Sequence, residues 1–176
     1  IFVLFSYCTT SLGEQFRFDV SKIDVSNNGN LISAYDGKVI SHNENLEIIA
    51  KNFEYNKKLD FLNASRGIAF IKSSNLKIEF NQLEADEKNL TLAAKGNIKI
   101  YDLNNKLLIQ SENIFLDRKN NILNSSTKST LDDENNNSFQ TEKFEYKINE
   151  NILKIEKAKL KDFNNNNFIV ELAYIN

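Results

Sequence analysis

Apolar residues recur along this chain in a fixed pattern. They alternate with polar ones, skip two polar positions, and then alternate again. The copies run Phe16, Phe18, Val20, then Ile23, Val25; Leu46, Ile48, Ala50, then Phe53, Tyr55; and Leu76, Ile78, Phe80, then Leu83, Ala85. They continue with Leu107, Ile109, Ser111, then Ile114, Leu116, and with Phe139, Thr141, then Phe144, Tyr146. A sixth copy reads Phe168, Val170, Leu172, then Ile175. The residue after the skip falls at 23, 53, 83, 114, 144 and 175, in steps of 30, 30, 31, 30 and 31. Such a fixed period is the mark of a repeat architecture.

Alternation at period two is a strand with one buried face. A skip of two costs one residue of phase, so each strand carries a bulge or bend at its middle. Polar turns follow at Ser26–Asn30, Asn56–Lys58, Asp86–Asn89, Asp117–Asn121 and Lys147–Asn151. A second strand then begins, clearest in Leu90, Leu92, Ala94, Gly96, Ile98 and Ile100. The pattern predicts an all-β, antiparallel fold of six strand-pair repeats. Gly37, Gly67 and Gly96 recur in the second strands and predict close backbone approach or a bulge there. The later copies lack that glycine and are expected to be more regular or more open. Asp132–Asn137 and Asn164–Asn167 read as longer loops, and His42 as a turn residue.

Composition narrows the chemistry. Among 176 residues the net charge is −2 and the three arginines (Arg17, Arg66, Arg118) are scattered, so no basic stripe tracks nucleic acid. One Cys and one His supply neither a metal site nor a nucleophile pair. Five glycines form no phosphate-cradling motif, and the acids show no convergent pair. No catalytic residue, metal or cofactor is expected. The absence of Met predicts a fragment. The apolar start Ile1–Phe5, with Ser11 and Gly13 as small residues, predicts residues 1–13 to be the remnant of a signal peptide cleaved after Gly13. The domain would then cover residues 14–176, and Cys8 would be lost on export.

The segments LEIIAKNFEY at 46–55, LAAKGNIKI at 92–100 and LLIQSENIFL at 107–116 resemble the units of the LptA/OstA-like β-jellyroll family. The likeness covers residues 16–176, and the opening FRFDVSKIDVSNNGN is most similar to the N-terminal periplasmic domain of LptD-type members. The resemblance implies a twisted, V-shaped sheet that shields lipopolysaccharide acyl chains across the periplasm, in a protein attached to the outer membrane. It implies partners too: lipopolysaccharide, other jellyroll proteins of the same transport system joined by edge-strand addition, and an outer-membrane lipoprotein. The disulfides of some LptD-type members find no cysteine in the expected mature chain.

On this reading the lipid groove is lined by Ile23, Ile48, Phe53, Tyr55, Ile78, Phe80, Leu83, Ile98, Ile109, Ile114, Leu116, Phe139, Phe144 and Tyr146, and the partner edge is Phe16, Phe18 and Val20. The residues after the skip are followed by Asp24, Glu54, Glu84, Phe115 and Glu145, which alternation turns toward water. The alternatives are an LptA-type bridge protein, a structural surface β-solenoid whose apolar stripe is only a dry core, and a piece of a transmembrane β-barrel.

Overall fold

The computed structural model describes residues 15–43 and 45–175. The expected signal remnant, with Cys8 and the cleavage site, lies outside the described residues. Seven long strands come first: β1 (Phe16–Ser26), β2 (Leu31–Ser41), β3 (Leu46–Asn56), β4 (Phe61–Ile71), β5 (Leu76–Asp86), β6 (Thr91–Asp102) and β7 (Leu107–Asp117). Shorter pieces follow: β8 (Ile122–Ser125), β9 (Ser129–Asp132), β10 (Ser138–Thr141) and β11 (Lys143–Lys147). Two longer strands, β12 (Ile152–Lys161) and β13 (Asn167–Ile175), complete the sheet.

All pairings are antiparallel and sequential. β8 and β9 both pair with β7, each along one half of it, so together they act as one strand broken at Ser126–Lys128. β10 and β11 pair in the same way with β12, broken at Glu142. The fold is therefore an all-β meander of bent strands, consistent with a jellyroll. It agrees with the strand pairs and turns expected from the sequence.

The bends line up. The ladder omits Ser21 opposite Asp36, Lys51 opposite Arg66, and Lys157 opposite Glu171. These residues, with Asn81 and Asn97, form a polar, solvent-exposed crease that crosses the sheet. In the second strand of several repeats a crease residue adopts positive φ: Asp36, Arg66, Asn97 and Lys157. The glycines beside it serve two purposes. A Cβ at Gly37 would lie 2.4 Å from the Asp19 carbonyl oxygen, and one at Gly67 would lie 2.2 Å from that of Ile49, so both mark backbone contact. Gly96 instead supplies φ +78 where the register slips between Lys95 and Ile98.

The hairpin turns explain the abundance of asparagine. Asp86, Asp102 and Asp117 each accept a backbone N–H and a side-chain amide from the Asn three residues on. The loops opened by Asp133 and Asp162 repeat this with Asn137 and Asn166, four residues on. Left-handed residues at Asn75 and Asn151 close two other turns, and Asn121 closes the one that Asp117 opens, a conformation that asparagine tolerates better than most.

Three expectations need correction. Leu90 belongs to the β5–β6 turn, at φ +54, rather than to the second strand. In the last repeat the skip falls earlier than the sequence pattern implied. Ile155 pairs with Ala173 and Glu156 with Leu172, so Ala173 turns inward and Leu172 outward. The later repeats are also less regular than expected, with β8–β9 and β10–β11 each broken at the crease, whereas β12, which also lacks the glycine, runs through it. Residues Ser111, Ser125, Thr127 and Ser129 fill that break with linked hydroxyls, Ser111 lying 3.1 Å from Ser125 and 3.0 Å from Ser129.

The two glycine environments make a test. Gly67→Ala should cost about 1–3 kcal/mol by forcing the β3 and β4 backbones apart. Gly29 sits at φ +86 with open space around it, so Gly29→Asn should stay within about 0.5 kcal/mol of the parent. Urea unfolding midpoints of the two variants check this, and equal losses would contradict the close approach.

Candidate functional site

The interior is built by the inward positions on both sides of the crease. Ile48, Phe53, Tyr55, Ile78, Phe80, Leu83, Ile98, Ile109, Ile114, Leu116, Phe139, Phe144 and Tyr146 are all buried and belong to one continuous cluster. Alternation brings these residues together on one face. They pack on one another, so the interior is filled by the protein's own side chains. Full burial of each large side chain contributes about 1.5–3 kcal/mol.

Ile23 is the exception among them. It sits on the inner face of β1 yet is 47% exposed, and its neighbour Val25 is 58% exposed. Of the expected partner edge, Phe16 is buried under Tyr55 in an edge-on ring contact at 5.2 Å, while Phe18 and Val20 are half-buried. β1 pairs with β2 alone among the described strands, and its other side is an open edge. At the opposite end of the sheet β13 pairs with β12 alone, and the inward Phe168 is half exposed. The apolar interior is thus closed along its length and uncovered at both ends of the sheet.

A polar seam runs along the closed side, where turns from opposite ends of the bent strands meet. Ser74, after β4, donates to Asn121 Oδ1, before β8, at 2.9 Å. Tyr146 Oη, at the end of β11, donates to Asp102 Oδ2, at the end of β6, at 2.6 Å, and accepts from Asn105 Nδ2 at 2.8 Å. Burial, then the hydrogen bond and charge of Asp102, push the Tyr146 hydroxyl well above the usual tyrosine range. A buried ion pair lies nearby. Arg118 reaches Glu87 at 2.5 Å with both side chains almost fully enclosed, and its Nε has no partner. It joins the β5–β6 turn to the β7–β8 turn, where the Arg118 N–H also donates to the Leu90 carbonyl. Breaking such a pair costs far more than forming it gains.

Sequence reasoning missed this seam. Asp102, Asn105 and Ser74 carried no assignment from the sequence, and Arg118 read as a scattered cation. The Tyr146–Asp102 contact spans 44 residues of chain, and alternation does not encode it.

The outer side of the crease holds a shallow open depression of about 730 Å³, among whose lining residues are Ile49, Ile68, Asp36, Lys51, Arg66 and Glu79. Its charges are mixed, with Lys51 already paired to Asp36 at 2.9 Å. No group of three His, Cys, Asp or Glu suited to a metal occurs among the described residues, and none of their helices is long and apolar enough to cross a membrane. His42 lies in the β2–β3 turn. Of the residues after the skip partners, Asp24, Glu54, Phe115 and Glu145 are exposed and Glu84 is half-buried.

Compared with known proteins, the chain matches no family model and no curated protein. The functional reading therefore rests on the residues and their arrangement.

The seam yields a pH test. Tyrosine in the unfolded chain ionises near about pH 10. Because the folded pKa is raised, the stabilisation is complete below that pH and is lost as pH rises toward the native value. Tyr146→Phe should remove this alkaline loss, and at neutral pH it should cost about 1.5–3 kcal/mol by depriving the buried Asp102 of a donor. Unfolding midpoints of parent and variant between neutral and strongly alkaline pH decide it. Parallel curves would place the tyrosine outside the seam's energetics.

Proposed function

We propose that this protein is a non-catalytic lipid-shielding module of the lipopolysaccharide transport type, working in the periplasm and attached to the outer membrane. The observation that carries the reading is the meander of bent strands whose apolar interior runs unbroken from one end of the sheet to the other and is uncovered at both. The resemblance of residues 46–55, 92–100 and 107–116 to β-jellyroll units supports the same class.

The physical need is clear. Each exposed methylene costs about 0.8 kcal/mol, so one twelve-carbon chain costs on the order of 10 kcal/mol in water. A lipid with several chains needs a continuous apolar path. In this protein the path is occupied by side chains, so acyl chains enter by parting the polar seam at Tyr146–Asp102 and Ser74–Asn121. Those few hydrogen bonds are cheaper to exchange than the apolar packing beneath them. The open edges at Phe16–Val20 and at β13 suit strand addition by other jellyroll domains. An outer-membrane lipoprotein completes the expected partners.

A second reading is favoured by one observation, the tight closure of the interior. On it the protein is a structural β-module with a dry core.

Photo-crosslinking residues separate the two. Placed at 53, 83, 114 or 144 they should capture lipopolysaccharide in cells, whereas at 54, 84 or 145 they should not. Equal capture from both sets would overturn the groove. No lipid adduct from either set, in folded protein, would establish the dry module.

A further inference from the structure

We propose that the outer face of β12 and β13 docks on an anionic lipid surface, with Ile169, Leu172 and Tyr174 entering the headgroup layer and Lys159 and Lys161 meeting lipid phosphates. The inference stands apart from the interior's role, because these side chains point away from it.

The register establishes that. Ala158 pairs with Val170 and Leu160 with Phe168 on the inner face, so the intervening Lys159–Ile169 pair faces outward. Lys154 opposite Tyr174 and Glu156 opposite Leu172 face outward as well. Ile169 is 81% exposed and Tyr174 65%, with Leu172 half exposed; Phe163 of the adjoining loop is exposed as well. Elsewhere the outward face carries apolar residues too, Ile49 and Phe115 among the exposed ones, but β13 groups three of them on one strand. Single exposed apolar residues need no explanation, whereas a grouped set marks a contact surface.

Charge selects the occupant. β12 presents Lys154, Lys157, Lys159 and Lys161. Lys154 is paired with Glu156 at 3.3 Å and Lys157 with Glu142 at 3.6 Å. The Asp162 carboxylate is turned into its own loop by Asn164 and Asn166. Lys159 and Lys161 have no counter-ion among the described residues, and Lys159 lies directly opposite Ile169. A stripe one strand wide, with apolar tips flanked by ammonium groups on flexible stems, is too narrow for a stable protein interface of about 800 Å² per partner. It suits a bilayer, where lysines reach up to phosphates while apolar and aromatic tips settle among the headgroups.

Co-sedimentation with vesicles of phosphatidylcholine containing phosphatidylglycerol tests this on the full chain at low salt. The protein should partition onto those vesicles, only weakly onto pure phosphatidylcholine, and should be released by high salt. The triple variant I169E/L172E/Y174E and the double variant K159E/K161E should each lower the partition coefficient about tenfold. Circular dichroism and the urea midpoint confirm that both fold. Should the triple variant not fold, I169E alone keeps the test, since that side chain is mostly in solvent. Failure of the parent to bind, equal binding to neutral vesicles, or undiminished binding by both variants overturns the proposal. Self-association in sedimentation velocity that I169E abolishes, without vesicle binding, would assign the face to a second copy of the chain instead.

Discussion

Everything in this fold depends on bending a strand without losing its ladder. A strand that is to bury apolar side chains on both sides of a sharp bend must lose one residue of phase there, and the residue lost has no cross-strand partner. The protein aligns these unpaired residues into one crease. Ser21, Asp36, Lys51, Arg66, Asn81 and Asn97 are all polar, so their freed backbone and side-chain groups meet water. The left-handed conformation at Asp36, Arg66, Asn97 and Lys157 is local strain that the paired strand on either side maintains. Where the neighbouring chain comes closest, only glycine fits, at positions 37 and 67. With the crease in place, each strand presents two apolar halves to each other, and the core follows.

The crease also decides what the seam can be. Folding the sheet brings the turns at one end of the strands against those at the other, and turns are polar by necessity. The closed side is consequently held by hydroxyl, amide and carboxylate contacts above a core held by dispersion and burial. The two layers differ in how they respond to solvent. Water can replace the bonds of Ser74 or Asn105, but it cannot replace the packing of Phe53, Phe144 and Leu83. The seam is thus the side of the molecule that depends least on apolar packing. The linked hydroxyls of Ser111, Ser125, Thr127 and Ser129 form a polar collar within the interior, and they sit where the strands are already broken.

The sequence made the strands, the bends and the turns legible because each is a local matter. Alternation reports which face is buried, the two-residue skip reports the loss of phase, and Asp–Asn pairs report the turns. The identity of the interior residues was legible for the same reason, from Ile48 to Tyr146. Three things were not. The last skip was misplaced because Leu172, though apolar, faces outward, and an apolar residue on either face fits the pattern equally well. The exposure of Ile23 was invisible because alternation gives a side chain's direction and not what lies over it. The seam was invisible because it joins residues far apart in the chain by a geometry that the bend angle sets.

That last geometry accounts for the ends as well. The crossing contacts pair a turn with another 47 residues on at Ser74–Asn121, and 44 residues on at Asp102–Tyr146. Each half-sheet is thus covered by one that comes later or earlier by about one and a half repeats. Among the described residues the earlier cover is missing for Ile23 and Val25, and the later cover is missing for Phe168 and Leu160. A stack whose units each contact only their neighbours must end in polar caps or continue into another such unit. Ile23 and Val25, being apolar and uncovered among the described residues, do not form such a cap.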